Sequence, residues 1–268
     1  MELLFNISEI AIITGDNPYK TKRDYLIDFW KKNAKNDYQE YIKLTQFVKE
    51  TDDEVIKKIT SKNNIDICAD LAKCIKSNNT NDLNIMKKNI LEKVSNLPEV
   101  EKKEIEKSIL NVTNTKFGIR NETDITKIYE KMTGQIITKD NKYKKINIFE
   151  NKNYKISIGG KIDGINNESC TIIEVKNRMN KLFYELRNYE KVQIMCYMYL
   201  FQTKKGHLVE AHKKKDETNV NIIEVSYDED YMKYIFEKLI DFSMFYIKFI
   251  ENHDMKLKLL TTTNEIEI

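Results

Sequence analysis

The stretch Gly-Lys-Ile-Asp-Gly at residues 160–164, followed by a short polar turn and by Thr-Ile-Ile-Glu-Val-Lys at residues 171–176, decides the fold of this chain. Apolar and polar residues alternate from 154 to 162, and residues 171–175 are mostly β-branched. Both patterns are typical of strands, and the Asn-Asn-Glu-Ser segment between them is typical of a turn. The sequence therefore predicts two neighbouring strands joined as a hairpin.

Three charged side chains fall at the ends of these strands: Asp163, Glu174 and Lys176. Residues two apart on a strand share a face, so Glu174 and Lys176 project together while Val175 points into the core. The hairpin pairing brings Asp163 beside that face. Two carboxylates and a lysine suit metal-dependent phosphodiester cleavage, and oxygen ligands without a nearby cysteine or histidine suit Mg²⁺ or Mn²⁺ rather than zinc. A surface hairpin with scattered charges is the alternative for this motif taken alone.

Two flanking segments carry further polar residues. Residues 117–130 predict a helix entered through a glycine, with Glu122 in its first turn, where the helix dipole favours a carboxylate. Residues 191–201 predict an apolar helix on which Gln193 and Tyr197, four positions apart, share a face. A buried amide without a partner costs about 1–3 kcal/mol, so Gln193 requires one. A helix boundary and an ordinary core tyrosine are the alternative.

The order Gly-x3-Glu, Asp, Glu-x-Lys and Gln-x3-Tyr resembles the PD-(D/E)xK nuclease superfamily in its RecB-like branch. Residues 8–20 resemble the opening motif of the YqaJ viral recombinase family, to which phage-lambda-type exonucleases are related. In that motif a serine begins a helix that ends in a glycine, and Pro-Tyr-Lys follows shortly after. The resemblance covers residues 5–30 and 115–250. It implies an α/β (α+β) fold with a restriction-endonuclease-like core, a central mixed sheet flanked by helices, and an inserted helical lobe.

The resemblance also assigns roles to residues. It implies that Lys176 positions or deprotonates the attacking water, and that Gln193 and Tyr197 support the site. It implies metal binding by the carboxylates and by one main-chain carbonyl: Glu122, Asp163, Glu174 and Val175.

The chain departs from the family pattern at two places, and only the second bears on the substrate. Ile162 replaces the proline that names the superfamily. Ser8 matches the serine near the 5′ end of the DNA, but residues 1–7 contain no basic residue. Family exonucleases often carry an arginine there, in contact with the 5′ phosphate, so strict 5′-phosphate dependence is in doubt.

The charge balance excludes a global basic field. The 268 residues carry 45 Lys and Arg against 42 Asp and Glu, so any surface that binds phosphates must be local. Tyr19, Tyr143 and Tyr184 could stack bases there. The candidate basic patches lie at residues 20–23, 142–145, 177–181 and 204–215, and each taken singly is more often a solvated face. The candidate DNA-contacting residues are Ser8, Tyr19, Lys20, Arg120, Asn177, Arg178 and Lys181.

The four cysteines form no Cys-x2-Cys pair, which indicates reduced, mostly buried thiols in an intracellular protein without an iron–sulfur cluster. The longest uncharged run, residues 192–203, is far short of the ~20 needed to span a bilayer. The excess of Lys, Asn and Ile resembles translation of an AT-rich genome, such as that of a large DNA virus. That origin would place the protein in the host cytoplasm or a viral factory.

The chain divides into three predicted stretches. Residues 1–50 are expected to be helical, with Tyr25, Leu26, Phe29 and Trp30 packing on the core. Residues 51–112 predict two or three charged amphipathic helices, which form the inserted lobe. Residues 113–268 predict the nuclease core: a helix, three strands, a helix, two strands and a long helix over 228–251.

These observations favour a Mg²⁺- or Mn²⁺-dependent deoxyribonuclease, acting as an exonuclease on linear duplex DNA in recombination, repair or viral genome processing. The enzymatic alternative is a structure-specific or nicking endonuclease, which the missing arginine favours. The alternative from another class is a catalytically silent DNA-binding module on the same fold. A homo-oligomer and a single-strand annealing or replication partner are compatible with the resemblance.

Overall fold

The computed structural model describes residues 1–77, 80–120, 122–139, 142–214 and 217–262. The strands are β1 Glu2–Asn6, β2 Lys144–Glu150, β3 Lys155–Gly160, β4 Gly164–Asn166, β5 Thr171–Arg178, β6 Lys205–Lys214 and β7 Glu217–Ser226. The helices are α1 Ile10–Thr14, α2 Lys22–Asn33, α3 Lys35–Thr45, α4 Asp52–Lys62, α5 Cys68–Lys76, α6 Thr80–Lys93, α7 Glu99–Arg120, α8 Glu122–Thr133, α9 Asn188–Phe201, α10 Glu229–Glu251 and α11 His253–Thr261.

The strands form two mixed sheets, in the orders β1-β3-β2 and β4-β5-β6-β7. Strand β3 runs parallel to β1 and antiparallel to β2, while β5 runs parallel to β6 and antiparallel to β4. Helix α9 connects β5 to β6, as a crossover between parallel strands requires. The predicted mixed α/β fold is confirmed.

The expectation that residues 1–50 are helical is wrong at their start. Residues 2–6 form β1, which pairs in parallel with β3 about 150 positions away. Leu3 and Phe5, two apart and fully buried, face the core as alternate residues of a strand do. Two apolar positions in so short a segment are a weak local signal for a strand. The strand forms because its residues pair with β3, which is distant in the sequence.

An aromatic cluster joins the N-terminal part to the core. The ring of Phe29 on α2 stacks on Phe5 with centroids 5.0 Å apart and meets Tyr246 of α10 edge-on at 4.9 Å. Trp30 packs edge-on against Phe249 at 5.1 Å. Such pairs add about 0.5–1.5 kcal/mol each beyond their buried area. The predicted core residues Tyr25, Leu26, Phe29 and Trp30 are all buried.

Strand β5 is covered on both faces over its first five residues, 171–175. This burial explains its nearly continuous β-branched sequence, which parallel strands share. Four strands, β2 to β5, precede α9, where the sequence predicted three, because Gly164–Asn166 pairs with β5 before the turn begins. Helix α11 also follows the long helix α10 and was not predicted.

Helices α4 to α7 enclose an apolar cluster of their own, which runs from Val55 to Phe117. Four helices therefore stand where two or three were expected, and α7 continues beyond residue 112 to Arg120. The predicted helix over 117–130 falls on the end of α7, up to Arg120, and on α8, from Glu122 onward, and residue 121 lies outside the described residues. Gly118 lies within α7 and does not open a helix.

Cys74 and Cys196 are buried, whereas Cys68 and Cys170 are exposed, so only half of the thiols are in the interior. Over the described ranges, every helix is too short or too polar to traverse a lipid bilayer.

Candidate active site

The hairpin of β4 and β5 places Asp163 and Glu174 opposite each other. Gly164 pairs with Ile173 as the last residue of the ladder, so Asp163 lies one position beyond it. An Asp163 carboxylate oxygen accepts a hydrogen bond from the Val175 N–H at 2.8 Å. The N–H and C=O groups of one strand residue point to the same edge, so the Val175 carbonyl faces this gap as well.

Lys176 connects the strand to helix α9. Its Nζ donates to Oε1 of Glu174 at 2.8 Å and to Oε1 of Gln193 at 3.0 Å. The side chain of Glu174 is 4% exposed and that of Lys176 is 24% exposed. The hydrogen-bond partner that the sequence analysis expected for Gln193 is therefore Lys176.

Tyr197 lies on α9 one turn after Gln193 and borders the site. Its buried ring packs so closely on Gly160 that a Cβ atom there would lie 2.9 Å from the ring. Glycine is needed at 160 for this approach. Burial raises the pKa of Tyr197, the charge of Glu174 raises it further, and a hydrogen bond with Gln193 opposes both.

Burial raises the pKa values of three carboxyl groups at this site. Burial raises the pKa of Glu174 to about 8, and the charges of Asp163 and Glu122 add to this effect against the opposing Lys176 ammonium. Burial also raises the pKa of Asp163, although the Val175 N–H opposes it. The pKa of Glu122, in the first turn of α8, is raised by burial and then by Asp163.

These oxygen atoms suit a hard divalent cation. Within the described residues, no three Asp, Glu, His or Cys side chains are grouped so that all three could hold one metal ion. Mg²⁺ does not need one, since it takes one or two carboxylates and keeps several waters. Asp163 and Glu174, with the Val175 carbonyl, provide such an open set. A cation there would also offset the burial that raises the pKa values of Asp163 and Glu174.

The N-terminal candidates lie around helix α1. Ser8 is exposed, but it lies within a 3₁₀ turn, Ile7–Glu9, and does not cap the helix. The helix ends at Gly15 with φ = +86°, a left-handed cap that glycine adopts at little cost.

The two residues that follow in the motif are differently exposed. The ring of Tyr19 is 78% exposed and meets Tyr189 edge-on at 5.8 Å. The ammonium of Lys20 lies 2.8 Å from a carboxylate oxygen of Asp28, so its charge is already paired.

The candidate DNA-contacting residues near β5 differ in whether their side chains are free to contact DNA. Lys181 is exposed. Asn177 donates from Nδ2 to the Phe117 carbonyl at 2.9 Å, which joins β5 to α7. The side chain of Arg120 lies outside the described residues.

The expected DNA contact by Arg178 disagrees with the structure, because Arg178 is only 8% exposed. Its guanidinium binds both carboxylate oxygens of Glu190, at 2.6 and 3.0 Å, and a carboxylate oxygen of Glu210 at 3.0 Å. Both acids are fully buried. The Arg178 guanidinium is therefore paired with these two acids inside the protein and does not face DNA.

Sequence reasoning missed this buried network. Glu210 also accepts hydrogen bonds from the N–H groups of Phe183 and Tyr184 and from the Asn221 amide. An acid inside the apolar run Leu-Val-Glu-Ala of β6 was the available signal, because buried carboxylates require partners.

Three solved structures resemble parts of this architecture at low sequence identity. A phage-related exonuclease from Haemophilus somnus 129PT is 11% identical, with a TM-score of 0.46, over 94% of this chain and 96% of its own. An alkaline exonuclease, LHK-Exo, from Laribacter hongkongensis is 16% identical, with a TM-score of 0.42, over 52% of this chain and 71% of its own. LHK-Exo in complex with dAMP is 13% identical, with a TM-score of 0.42, over 60% and 87%. Likeness this distant carries no conclusion about chemistry. No protein family and no curated protein sequence matches the chain.

Proposed function

We propose that this protein is a deoxyribonuclease that uses Mg²⁺ or Mn²⁺. The observation that carries the proposal is the contact of Lys176 with both Glu174 and Gln193, beside an Asp163 that is anchored to the same strand. Two carboxylates and an ammonium around one gap are more than a structural hairpin needs. Burying Glu174 with a raised pKa costs stability, which favours a functional origin.

Asp163, Glu174 and the Val175 carbonyl would hold the ion, and Glu122 in the first turn of α8 is proposed as a further carboxylate for it. When bound, the ion would polarise the scissile phosphate and stabilise the leaving 3′ oxygen. Lys176 donates hydrogen bonds to Glu174 and Gln193, and its remaining N–H can orient an attacking water. Burial lowers the Lys176 pKa but the Glu174 carboxylate outweighs it, so the group stays an ammonium that positions water.

Gln193 and Tyr197 keep this arrangement in place. The Gln193 amide accepts from Lys176, and the Tyr197 ring fills the space over Gly160. Both side chains come from one face of α9, which fixes their spacing relative to β5. Their proposed role is to hold the ammonium, while the carboxylates bind the ion.

The exonuclease mode on linear duplex is the finer part of the proposal. What supports it is the N-terminal motif together with a cavity of about 430 Å³ lined by residues from Ile12 to Arg23, which could receive a DNA end. Two cations of this lining are engaged by the protein. Lys20 pairs with Asp28, and Arg23 donates to the carbonyls of Leu259 and Thr262.

These pairings favour weak selection for a terminal phosphate. A phosphate that lacks a charge-assisted donor gives up about 1.5–3 kcal/mol, or tenfold to a hundredfold in rate. A structure-specific or nicking endonuclease is the second candidate, and the engaged cations favour it.

One assay separates the two modes. Purified protein with Mg²⁺ is offered linear duplex, with and without a 5′ phosphate, and covalently closed circular duplex. We expect the linear DNA to be degraded, with the two kinds of 5′ end within about tenfold of each other, and the closed circle to persist. Cleavage of the closed circle at the linear rate would replace the exonuclease with an endonuclease.

A further inference from the structure

The connection between β5 and α9, residues 179–187, contains a residue in an unfavourable conformation. Tyr184 has φ = +59°, in the left-handed region that side chains other than glycine seldom adopt. The residue is 70% exposed, so burial of its ring does not offset the strain. Backbone strain of this kind persists only where the surroundings enforce it, and it is concentrated at functional sites.

Glu210 enforces the conformation from inside the protein. One of its carboxylate oxygens accepts the Tyr184 N–H at 2.7 Å, and the other accepts the Phe183 N–H at 3.0 Å. Hydrogen bonds to a buried charge are about twice as strong as neutral ones. The Phe183 ring is also flanked by the guanidinium groups of Arg178 and Arg187, 4.3 and 4.5 Å from its centroid. The loop is therefore a rigid support.

The support lies beside the proposed site of cleavage. In the parallel ladder Glu210 is the partner of Lys176, and side chains of paired residues share one face of the sheet. The backbone N–H of Tyr184 is therefore hydrogen-bonded to Glu210, the neighbour of Lys176 across the sheet. The ring projects from this point into solvent.

The other exposed tyrosines of the sequence analysis are engaged. The Tyr143 hydroxyl donates to Asn6 at 3.2 Å, and the Tyr19 ring contacts Tyr189. Within the part of the chain that the structure describes, no side-chain partner engages the Tyr184 ring.

We propose that Tyr184 is the base-stacking residue of the DNA site, and that its ring binds the flat face of a nucleobase next to the phosphate that is cleaved. Every base offers such a face, so the contact tolerates all sequences, as a nuclease without sequence preference requires. The inference rests on the proposed nuclease function and adds the group that holds the substrate strand in register.

The test compares three variants of the full chain. Tyr184→Leu removes the aromatic face, Tyr184→Phe keeps it, and Tyr234→Leu alters another exposed tyrosine, on α10, whose ring stacks on Tyr231 and whose hydroxyl donates to the Thr14 carbonyl at 3.5 Å, away from the residues proposed to hold the ion. DNA binding is measured with Ca²⁺ in place of Mg²⁺, by the fluorescence of 2-aminopurine placed next to the cleaved phosphate. Single-turnover cleavage is measured with Mg²⁺, and the melting temperature reports folding.

We expect Tyr184→Leu to raise Kd by about tenfold to a hundredfold and to reduce the quenching of 2-aminopurine. Tyr184→Phe should stay within about twofold of the wild type, since it keeps the aromatic face. Tyr234→Leu should leave both readouts unchanged. Wild-type binding by Tyr184→Leu would overturn the inference, and so would an equal loss in Tyr184→Phe, which would assign the contact to the hydroxyl.

The two proposals fail separately. A wild-type protein that binds DNA through Tyr184 but does not cleave it with Mg²⁺ or Mn²⁺ would refute the nuclease and retain the stacking residue. If Tyr184→Leu cleaves DNA at the wild-type rate, the stacking residue is refuted and the nuclease is retained. A wild-type protein that binds no DNA would overturn both.

Discussion

At the scale of single residues, Glu174 has the environment that says most about the chemistry. It is 3% exposed, and this burial raises its pKa; the charges of Asp163 and Glu122 add to the rise, and Lys176 opposes it. The metal-free fold holds this carboxyl more readily with its proton. Ionising it costs free energy that a bound cation would recover.

Metal affinity is therefore expected to depend on pH. The Glu174 pKa of about 8 exceeds the ordinary value of 4.5. Its contribution to metal-free stability is thus full below pH 4.5 and is lost as the pH rises through 8. A cation must displace that proton, so the affinity for Mn²⁺ should rise by about tenfold per pH unit between pH 6 and 8. Titration calorimetry measures it, and an affinity that does not change over this range would contradict the raised pKa.

A second prediction separates catalysis by Lys176 from binding. Lys176→Met keeps most of the unbranched side chain and removes the ammonium, so the single-turnover rate should fall by about a hundredfold or more while DNA affinity is largely retained. Lys176→Arg should not restore the rate, because a planar guanidinium cannot replace a compact ammonium. The exposed Lys152→Met is the matched control. A normal rate in Lys176→Met would make this lysine a structural cation.

At the scale of elements, the unit β5–α9–β6 is held by the network of Arg178 with Glu190 and Glu210. Glu190 lies in the first turn of α9, where the helix dipole favours an acid. Gln193 is one turn further along the same face. The network therefore fixes the helix that places the Gln193 amide on Lys176.

Breaking the network should destabilise the whole protein. Arg178→Met leaves two buried carboxylates without their cation, so we expect the free energy of unfolding to fall by about 3–5 kcal/mol. Urea denaturation measures the change. Lys103→Met, which removes an exposed cation paired with Glu99, is the control and should leave the midpoint unchanged. A loss in Arg178→Met as small as in this control would show that the buried charges are solvated.

Local pattern predicted much of this unit. The alternation along β5 predicted that Glu174 and Lys176 share one face. The position of Gln193 in an apolar helix predicted that its amide has a hydrogen-bond partner. Arg178 was misjudged because its neighbours are polar, while the acids that bury it lie 12 and 32 positions away. Strand β1 was missed for the same reason, since pairing with a strand so distant leaves little trace in five residues.

At the scale of the whole molecule, the helical lobe contacts the end of strand β5. Asn177, directly after Lys176, donates to the carbonyl of Phe117 in α7. Lys87 of α6 donates to Asn114 at 2.8 Å and approaches the Met179 sulfur at 3.0 Å. The lobe therefore contacts the two residues that flank Arg178.

Lys87 gives a test of this contact. It is 7% exposed, burial lowers its pKa, and among the described residues no carboxylate pairs with it. Lys87→Met should therefore raise the melting temperature at neutral pH. The sign follows from the lowered pKa: the charged form costs stability at neutral pH, and this cost disappears as the pH rises toward the ordinary value of 10.5. A melting temperature that falls in Lys87→Met would show that its hydrogen bonds outweigh the burial of the charge, and the exposed Lys88→Met is the control.

The most direct test of the nuclease assignment is cleavage of linear duplex DNA by wild type, Asp163→Asn, Glu174→Gln and the control Asp241→Asn, which alters an exposed acid of α10. With Mg²⁺ or Mn²⁺ we expect the wild type and the control to cleave, and the two site variants to lose at least about a thousandfold while remaining folded. EDTA should abolish every activity. Cleavage in EDTA, or an undiminished rate in either site variant, would contradict the assignment.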